Sequence, residues 1–428
     1  MRNDTWKVDQ NMATEYISII VLSIVFFLIA VRKIGSIRIK IWQAMTMGAI
    51  IVLVTGQISP LAALYSVNID VIVFLFGMFV VGESMLRSGY LNTLSYKLFH
   101  RAVNVDHLVL LILFPMGLLS AILMNDTLAI IGTPLVIGLS REHGISSKLL
   151  LLTLAFAVTT GSVMSPIGNP QNLLIASSGG IVSPFISFVL YLAIPTILSL
   201  TVAFFILRVF YRSEFHKPLV ENQKKAVNND NRLVQLSKLA LVLIIILIGV
   251  KVTLVLIAPS LEMRLSYIAI IAALPIILLS RQRGAIVRNI DWSTLLFFAS
   301  MFVLMASVWQ SGVFQGLISG MNLDITSIPT IMAIGVLLSQ LISNVPMVAL
   351  FIPLLSTNGA SVVQLMTLAA GSTIAGNMLV LGAASNVIII QNAEKQGQTI
   401  EFKEFAKIGV PLTIVQASFY LVFLVLAS

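Results

Sequence analysis

Asn125, Asp126 and Thr127 form a polar trio inside the apolar run from His107 to Ser140, with Pro134 following in the same run. Hydrocarbon cannot solvate amides or carboxylates, so a polar cluster in such a segment implies a partner within the protein or a bound solute. A second cluster, Ser343-Asn344-Val345-Pro346 with Ile352-Pro353 behind it, repeats the first: Asn125 maps onto Asn344 and Pro134 onto Pro353 at a common offset of 219 residues. Asp126 is the one carboxylate in either cluster. It can pass a proton or hold sodium, and its plainer role is to cap the helix that follows, with Thr127 just behind.

Each cluster is followed by a long apolar run with a break in its middle. The first break reads Gly161-Ser162-Val163-Met164-Ser165-Pro166-Ile167-Gly168-Asn169-Pro170-Gln171-Asn172, and the second runs from Gly376-Asn377 through Gly382-Ala383-Ala384-Ser385-Asn386. Glycine and proline interrupt a helix, freeing carbonyls for a cation and half-helix N-termini for an anion. Gly168, Asn169, Gln171, Asn172, Gly382, Ser385 and Asn386 are therefore candidate ligands beside Asn125, Asp126, Thr127, Ser343 and Asn344. A single break reads as a kink whose glycines permit close packing; two breaks in register with two polar clusters favour a binding site. If the four half-helix N-termini converge, each equivalent to roughly half a positive charge, they outweigh Asp126 and favour an anion or polar oxyacid. In the opposing reading Asp126 prevails and the chain exchanges sodium for protons.

The elements that must hold these residues are helices in a membrane. Of 428 residues, 58% are hydrophobic and 10% charged, with a mean hydropathy of +1.01; one soluble core cannot hide that much apolar surface. The expected fold is an all-α polytopic membrane protein with its partner the lipid bilayer. Apolar runs at 16–31, 40–56, 70–86, 149–177, 185–208, 236–258, 265–280, 291–310, 361–391 and 407–427 predict about ten spans. The second arms of the polar-cluster segments, Thr127–Ser140 and Val345–Ser356, reach only ~20 Å of a ~30 Å core, which predicts two re-entrant hairpins in place of full spans. Tilted full spans are the rival reading.

With the N-terminus outside, 22 of the 26 Lys and Arg fall on the inner side, all but Arg2, Lys7, Lys251 and Arg264. A formal charge of +9 thus reads as a topology signal, with no nucleic-acid partner. The chain divides into an extracytoplasmic tail at 1–15, a first repeat at 16–210, a cytoplasmic linker at 211–235 and a second repeat at 236–427. Asn68-Ile69-Asp70 recurs as Asn289-Ile290-Asp291, Gly77-Met78-Phe79-Val80 as Ser300-Met301-Phe302-Val303, and Ser88-Gly89 as Ser311-Gly312. Asn68 starts its helix outside and Asn289 starts its helix inside, so the repeats are inverted, as in secondary transporters. Both termini then lie outside the plasma membrane.

Elsewhere, Glu83 sits four residues before Arg87 and reads as a structural pair. Lys251 lies near the end of its run and reads as snorkelling. His100, His107, His143 and His216 share no ligand spacing, cysteine is absent, and neither a phosphate-binding loop nor a nucleophile with its base appears, so neither a cofactor nor enzymatic activity is expected. Tyr90 to His100 is amphipathic and reads as an interfacial helix, with Val313–Met321 its counterpart.

The Asn125-Asp126-Thr127 cluster with Thr133-Pro134, the Gly168-Asn169-Pro170-Gln171-Asn172 break and the Ser343-Asn344-Val345-Pro346 cluster resemble the ion-transporter superfamily over residues 16 to 427. That superfamily includes arsenite permeases, sodium/proton antiporters of the NhaD type, and sodium-coupled dicarboxylate and citrate carriers. In the dicarboxylate branch each hairpin tip reads Ser-Asn-Thr; here Val345 departs at the third letter and the first tip reads Asn-Asp-Thr, which is more similar to arsenite and anion permeases. The resemblance implies a homodimer with an elevator mechanism that moves a small anion or oxyacid on a proton or sodium gradient. Its alternatives are sodium/proton antiport and dicarboxylate or citrate transport.

The charge tally predicts that, in this cysteine-free background, Asn222→Cys is labelled by an impermeant thiol reagent only from the cytoplasm and Asn358→Cys only from outside. Labelling of Asn222→Cys from outside contradicts the tally.

Overall fold

The computed structural model of the chain describes residues 16–31, 33–34, 37–90, 99, 102–178, 180–219, 231–257, 263–320 and 324–428. Within them lie nineteen α-helices and one two-stranded pair, β1 (Lys33–Ile34) against β2 (Ile37–Arg38). The first half holds α1 (Ile17–Val31), α2 (Ile41–Val54), α3 (Pro60–Ser66), α4 (Ile69–Arg87), α5 (Val105–Leu123), α6 (Asn125–His143), α7 (Ser147–Ser162), α8 (Pro170–Ser177) and α9 (Pro184–Phe210). The second half holds α10 (Asn231–Ile257), α11 (Leu265–Leu279), α12 (Arg283–Asn289), α13 (Trp292–Ser311), α14 (Val313–Gly320), α15 (Ile328–Ile342), α16 (Asn344–Thr357), α17 (Val362–Met378), α18 (Ala384–Glu394) and α19 (Phe402–Leu426).

Six of these helices are long and apolar enough to cross a membrane alone: α4, α5, α9, α10, α13 and α19. The remaining expected spans are shorter. The 149–177 run is cut into α7 and α8 where glycine, proline and asparagine interrupt it, and the 361–391 run is cut into α17 and α18 around Gly382 without a proline. Helix α10 begins at Asn231, inside the expected linker, and residues 220–230 lie outside the described residues. Most of the amphipathic segment expected at 90–100 also lies outside them; its counterpart is α14, which buries Phe314.

The core is built on the two helices that break. From Leu149 to Ser162 every residue of α7 is buried, and so is nearly every residue of α17. Helix α5 packs along α7, and α15 along α17; α9 and α19 close the outer side, and α7 crosses α17 at the centre. At those crossings backbones touch. A Cβ at Gly161 of α7 would overlap the Gly117 carbonyl of α5, an approach only glycine permits. Lateral helices are tied in by hydroxyl pairs buried between the two halves: Ser18 with Ser307 at 2.6 Å, Ser84 with Ser237 at 2.7 Å, and Thr196 with Tyr420 at 2.6 Å. At the far edge Asp70 accepts from Ser266 at 2.8 Å and pairs with Arg264 at 3.1 Å.

The hairpins form as helix–turn–helix units, with one change from expectation. The returning arm α6 has 19 residues because Arg141, Glu142 and His143 continue the helix until left-handed Gly144 ends it. At ~1.5 Å per residue it reaches about 28 Å, so the length argument for a re-entrant arm fails for α6. It holds for α16, whose 14 residues reach about 21 Å.

Gly161→Ala is expected to lower the thermal midpoint of the purified protein by several degrees, since overpacking of this kind costs about 1–3 kcal/mol. Gly138→Ala, where a Cβ meets open space, serves as the neutral control; equal midpoints for the two variants contradict the α5–α7 packing described here.

Candidate substrate and ion site

Both hairpins turn on a single residue in a conformation that side chains avoid. Met124 has φ 69° and ψ 140°, and Ser343 has φ 68° and ψ 157°. Neither is glycine, and backbone of this kind costs about 1–3 kcal/mol unless its surroundings hold it in place. The two are 219 residues apart, the offset that relates the polar clusters. The turns deliver Asn125 and Asn344 as the first residues of α6 and α16, with Asp126 and Thr127 in the first turn of α6. The cap expected of Asp126 is not made: Met124 holds the N-cap position, and no side chain caps α6.

The first break is stitched. Asn172 Nδ2 donates to the carbonyls of Ser162 at 3.1 Å, Val163 at 3.2 Å and Ser165 at 3.0 Å. Asn169 caps α8 by accepting from Asn172 N at 2.9 Å, and its own Nδ2 donates to Ser162 Oγ. Gln171 Nε2 and Asn169 Nδ2 each reach Thr373 Oγ1 of α17 at 3.3 Å, and Thr373 donates to Asn172 Oδ1 at 3.2 Å. The expectation that this break leaves its carbonyls free is therefore corrected: three of them are taken by one amide. Gly168 serves the hairpin, its carbonyl accepting from Asn125 N at 2.9 Å.

The second break is looser. After α17 the chain makes a single 3-10 turn, Val380–Gly382, and Ala383 leads into α18 without a side-chain cap. Gly382 is required by close approach: a Cβ there meets Ala375 O at 2.7 Å and Gln340 Oε1 at 2.9 Å. Asn386 Nδ2 donates to Gly376 O, while Asn386 Oδ1 and Ser385 Oγ are buried without a partner. Asn377 is held away from the break by Thr160 and Gln416, at 2.9 and 2.8 Å.

The four segments come together crosswise. Helix α18, from the second break, packs along α6 of the first hairpin, and α8, from the first break, packs along α16 of the second. The breaks meet through Thr373 on one side and, on the other, through Thr159, whose methyl faces Gly376 beside Ala383. Two of the four N-termini are committed within the protein, α8 to its Asn169 cap and α6 through Asn125 N. Those of α16 and α18 carry no side-chain cap. Asn125 Oδ1 and Asn344 Oδ1 join Ser385 Oγ and Asn386 Oδ1 as buried oxygens without donors among the described residues. Buried acceptors are ordinarily satisfied, and these four oxygens have no partner among the described residues. Met124, Thr373 and Gln340 carry no mark in the sequence, since each lies within an apolar stretch and acts through backbone or through a residue about 200 positions away; Ser162 and Ser343 are marked by the first break and the second cluster, but as part of them and not for the contacts or the turn they make.

Glu83 and Arg87 form the expected pair, 2.5 Å between Oε1 and Nε. Lys251 is buried, donating to the Met263 carbonyl in place of reaching solvent. No cluster of three or more metal-binding side chains occurs among the described residues, and His216 pairs with Asp106.

This geometry is accompanied by a match over residues 24–361 to the citrate transporter family, CitMHS. The chain belongs to that family. It is a multi-pass membrane transporter of the ion-transporter superfamily. It is 24% identical to a 46 kDa membrane protein of Mycobacterium leprae over 92% of this chain and 96% of that one. It is 26% identical to the silicon efflux transporter LSI3 of Oryza sativa over 86% and 89% of the two chains. Among solved structures, the YdaH transporter of Alcanivorax borkumensis superposes with a TM-score of 0.57 over 97% of each chain at 16% identity, a likeness of fold.

Asn172→Ala is expected to lower the thermal midpoint of the purified transporter markedly, because it strands three carbonyls at roughly 1–3 kcal/mol for a buried group left unpaired. Asn344→Ala removes an oxygen that holds nothing and should leave the midpoint within a degree or two. The reverse order of stabilities contradicts the division between stitching residues and those whose oxygens are unpartnered.

Proposed function

We propose that this protein is a secondary active transporter of a small anion or oxyacid, with the coupling cation and the solute both held where the two hairpin tips meet the two breaks. The observation that carries this reading is the set of buried, unpartnered oxygens on Asn125, Asn344, Ser385 and Asn386 beside the uncapped N-termini of α16 and α18. Oxygens suit a coupling cation or the hydroxyls of an oxyacid; free amides at a helix N-terminus suit a carboxylate or oxyanion. Gly168, Asn169, Gln171 and Asn172 act behind them as the frame that keeps the first break open, and Asp126 and Thr127 are placed to supply the cation.

The family's description as citrate transporters and the rice relative's name as a silicon efflux transporter support oxygen-rich solutes as the class. Arsenite permease-like transport falls within it, and sodium/proton exchange alone is the competing reading. Two inverted repeats, 16–210 and 236–427, acting as a homodimer with an elevator movement in the plasma membrane and both termini outside, complete the proposal. The matched strain at Met124 and Ser343 supports the repeat.

Purified protein should be stabilised against heat by at least one of citrate, succinate, sulfate, arsenite or silicic acid in a sodium- or pH-dependent way. Asn125→Ala and Asn344→Ala should each shift half-saturation at least tenfold or abolish the effect. Stabilisation by sodium or lithium alone, lost in Asp126→Asn, favours the antiporter reading.

A further inference from the structure

A cavity of about 160 Å³ lies between the inner half of α4, the first turns of α6 and the junction of α12 with α13. Its walls carry Glu83, Asp126, Thr127, Asn289 and Asp291 among apolar residues. Three carboxylates line this cavity without forming a three-residue metal cluster, and they differ in how they are satisfied. Glu83 is neutralised by Arg87. Asp291 caps α13, accepting from Thr294 N at 3.1 Å and Thr294 Oγ1 at 2.6 Å, with no cation paired to it among the described residues. Asp126 is 9% exposed and makes neither a hydrogen bond nor an ion pair with any described residue.

A buried carboxylate with no partner, facing a second that has no cation, is relieved either by taking up a proton or by a cation that enters between them. The space is sufficient: a water molecule's share of liquid is about 30 Å³, so a cation and several waters fit. Glu83 of α4 and Asp291 at the start of α13 share the cavity lining with Asp126; Arg87 offsets Glu83, and Arg288 lines a second cavity that shares Asn289 of α12. Their balance, Asp126 included, is one net negative charge, which one monovalent cation cancels. Carboxylates, a threonine hydroxyl and an asparagine amide offer oxygens, the donors that hard cations take.

We propose that this cavity is a second cation site, separate from the hairpin-tip oxygens, in which Asp126 and Asp291 hold a sodium ion that enters past the α12–α13 junction and adds a second coupling charge to the one at the tips. The site rests on the transport reading above only for its role, since binding itself is testable without transport. By the charge tally this mouth faces the cytoplasm. The cavity runs from the helix junction to Asp126 and Thr127 in the first turn of α6, the residues that follow Asn125 at the hairpin tip. Thr127 lies against Gly82 of α4, which places α6 directly over the cavity.

The test is a thermal-shift titration of the purified full-length protein with sodium chloride, using choline, potassium and magnesium chloride at matched ionic strength. Sodium should raise the midpoint saturably by several degrees where choline does not. Asp291→Asn keeps a residue that caps a helix well while removing the charge, and should weaken half-saturation by sodium tenfold or more; Asp126→Asn should abolish the response. Size-exclusion profiles matching the parent show that both variants are folded. An equal sodium response in parent and Asp291→Asn, a response to magnesium alone, or a midpoint that follows pH and no metal cation overturns the site. Stabilisation by citrate or another oxyacid is measured in the same samples. Sodium binding without any solute effect leaves the cavity standing and removes the transport reading, whereas solute binding without a sodium effect does the opposite.

Discussion

A helix that breaks inside a membrane protein frees backbone groups that hydrocarbon cannot solvate, and this fold is arranged around satisfying them. At the first break one side chain does most of it: Asn172 binds three carbonyls at 3.0–3.2 Å while Asn169 caps the half-helix that follows. Thr373, from the opposite half of the chain, fixes Asn169, Gln171 and Asn172 together. The crossing of α7 and α17 is thus specified by polar contacts as well as by close backbone packing, and the first hairpin is positioned against it through Asn125 and Gly168.

The consequence is a division of labour among side chains that look alike in sequence. Asn169 and Asn172 are committed to structure. Asn125, Asn344, Ser385 and Asn386 each keep an oxygen free of protein partners. The first break is rigid and the second sparsely held, so the two similar segments contribute unequally: one as frame, the other as an open helix N-terminus. The turns at Met124 and Ser343 hold strained backbone on which each free asparagine is mounted, in keeping with strain that collects where ligands bind.

Much of this is legible in the residues alone. Apolar run lengths place the helices to within a few residues, and the polar clusters mark both turns, because an Asn or Asp within a long apolar run is too costly to keep at membrane depth without a partner or a ligand. The breaks are visible through glycine and, in the first of them, proline, which interrupt a helix. Which polar group satisfies which is not legible. That Asn172 stitches its own break depends on a backbone path of ten residues, and that Thr373 bridges to it depends on contact across 201 positions. The α6 arm outruns its expected end because Arg141 to His143 continue the helix beyond the apolar stretch. The Asp126 cap fails because the turn places Met124, one position before Asn125, at the helix boundary.

The central claim is that four segments from two halves of the chain form one solute site with unpartnered oxygens and open helix amides. It is tested most directly by flux in proteoliposomes of the purified protein, with citrate, succinate, sulfate, arsenite and silicic acid offered under imposed sodium or proton gradients. The account predicts gradient-driven movement of at least one of these solutes by the parent protein and none by Asn344→Ala reconstituted at equal density. Sodium-for-proton exchange with no solute moved, or undiminished solute flux in Asn344→Ala, contradicts it.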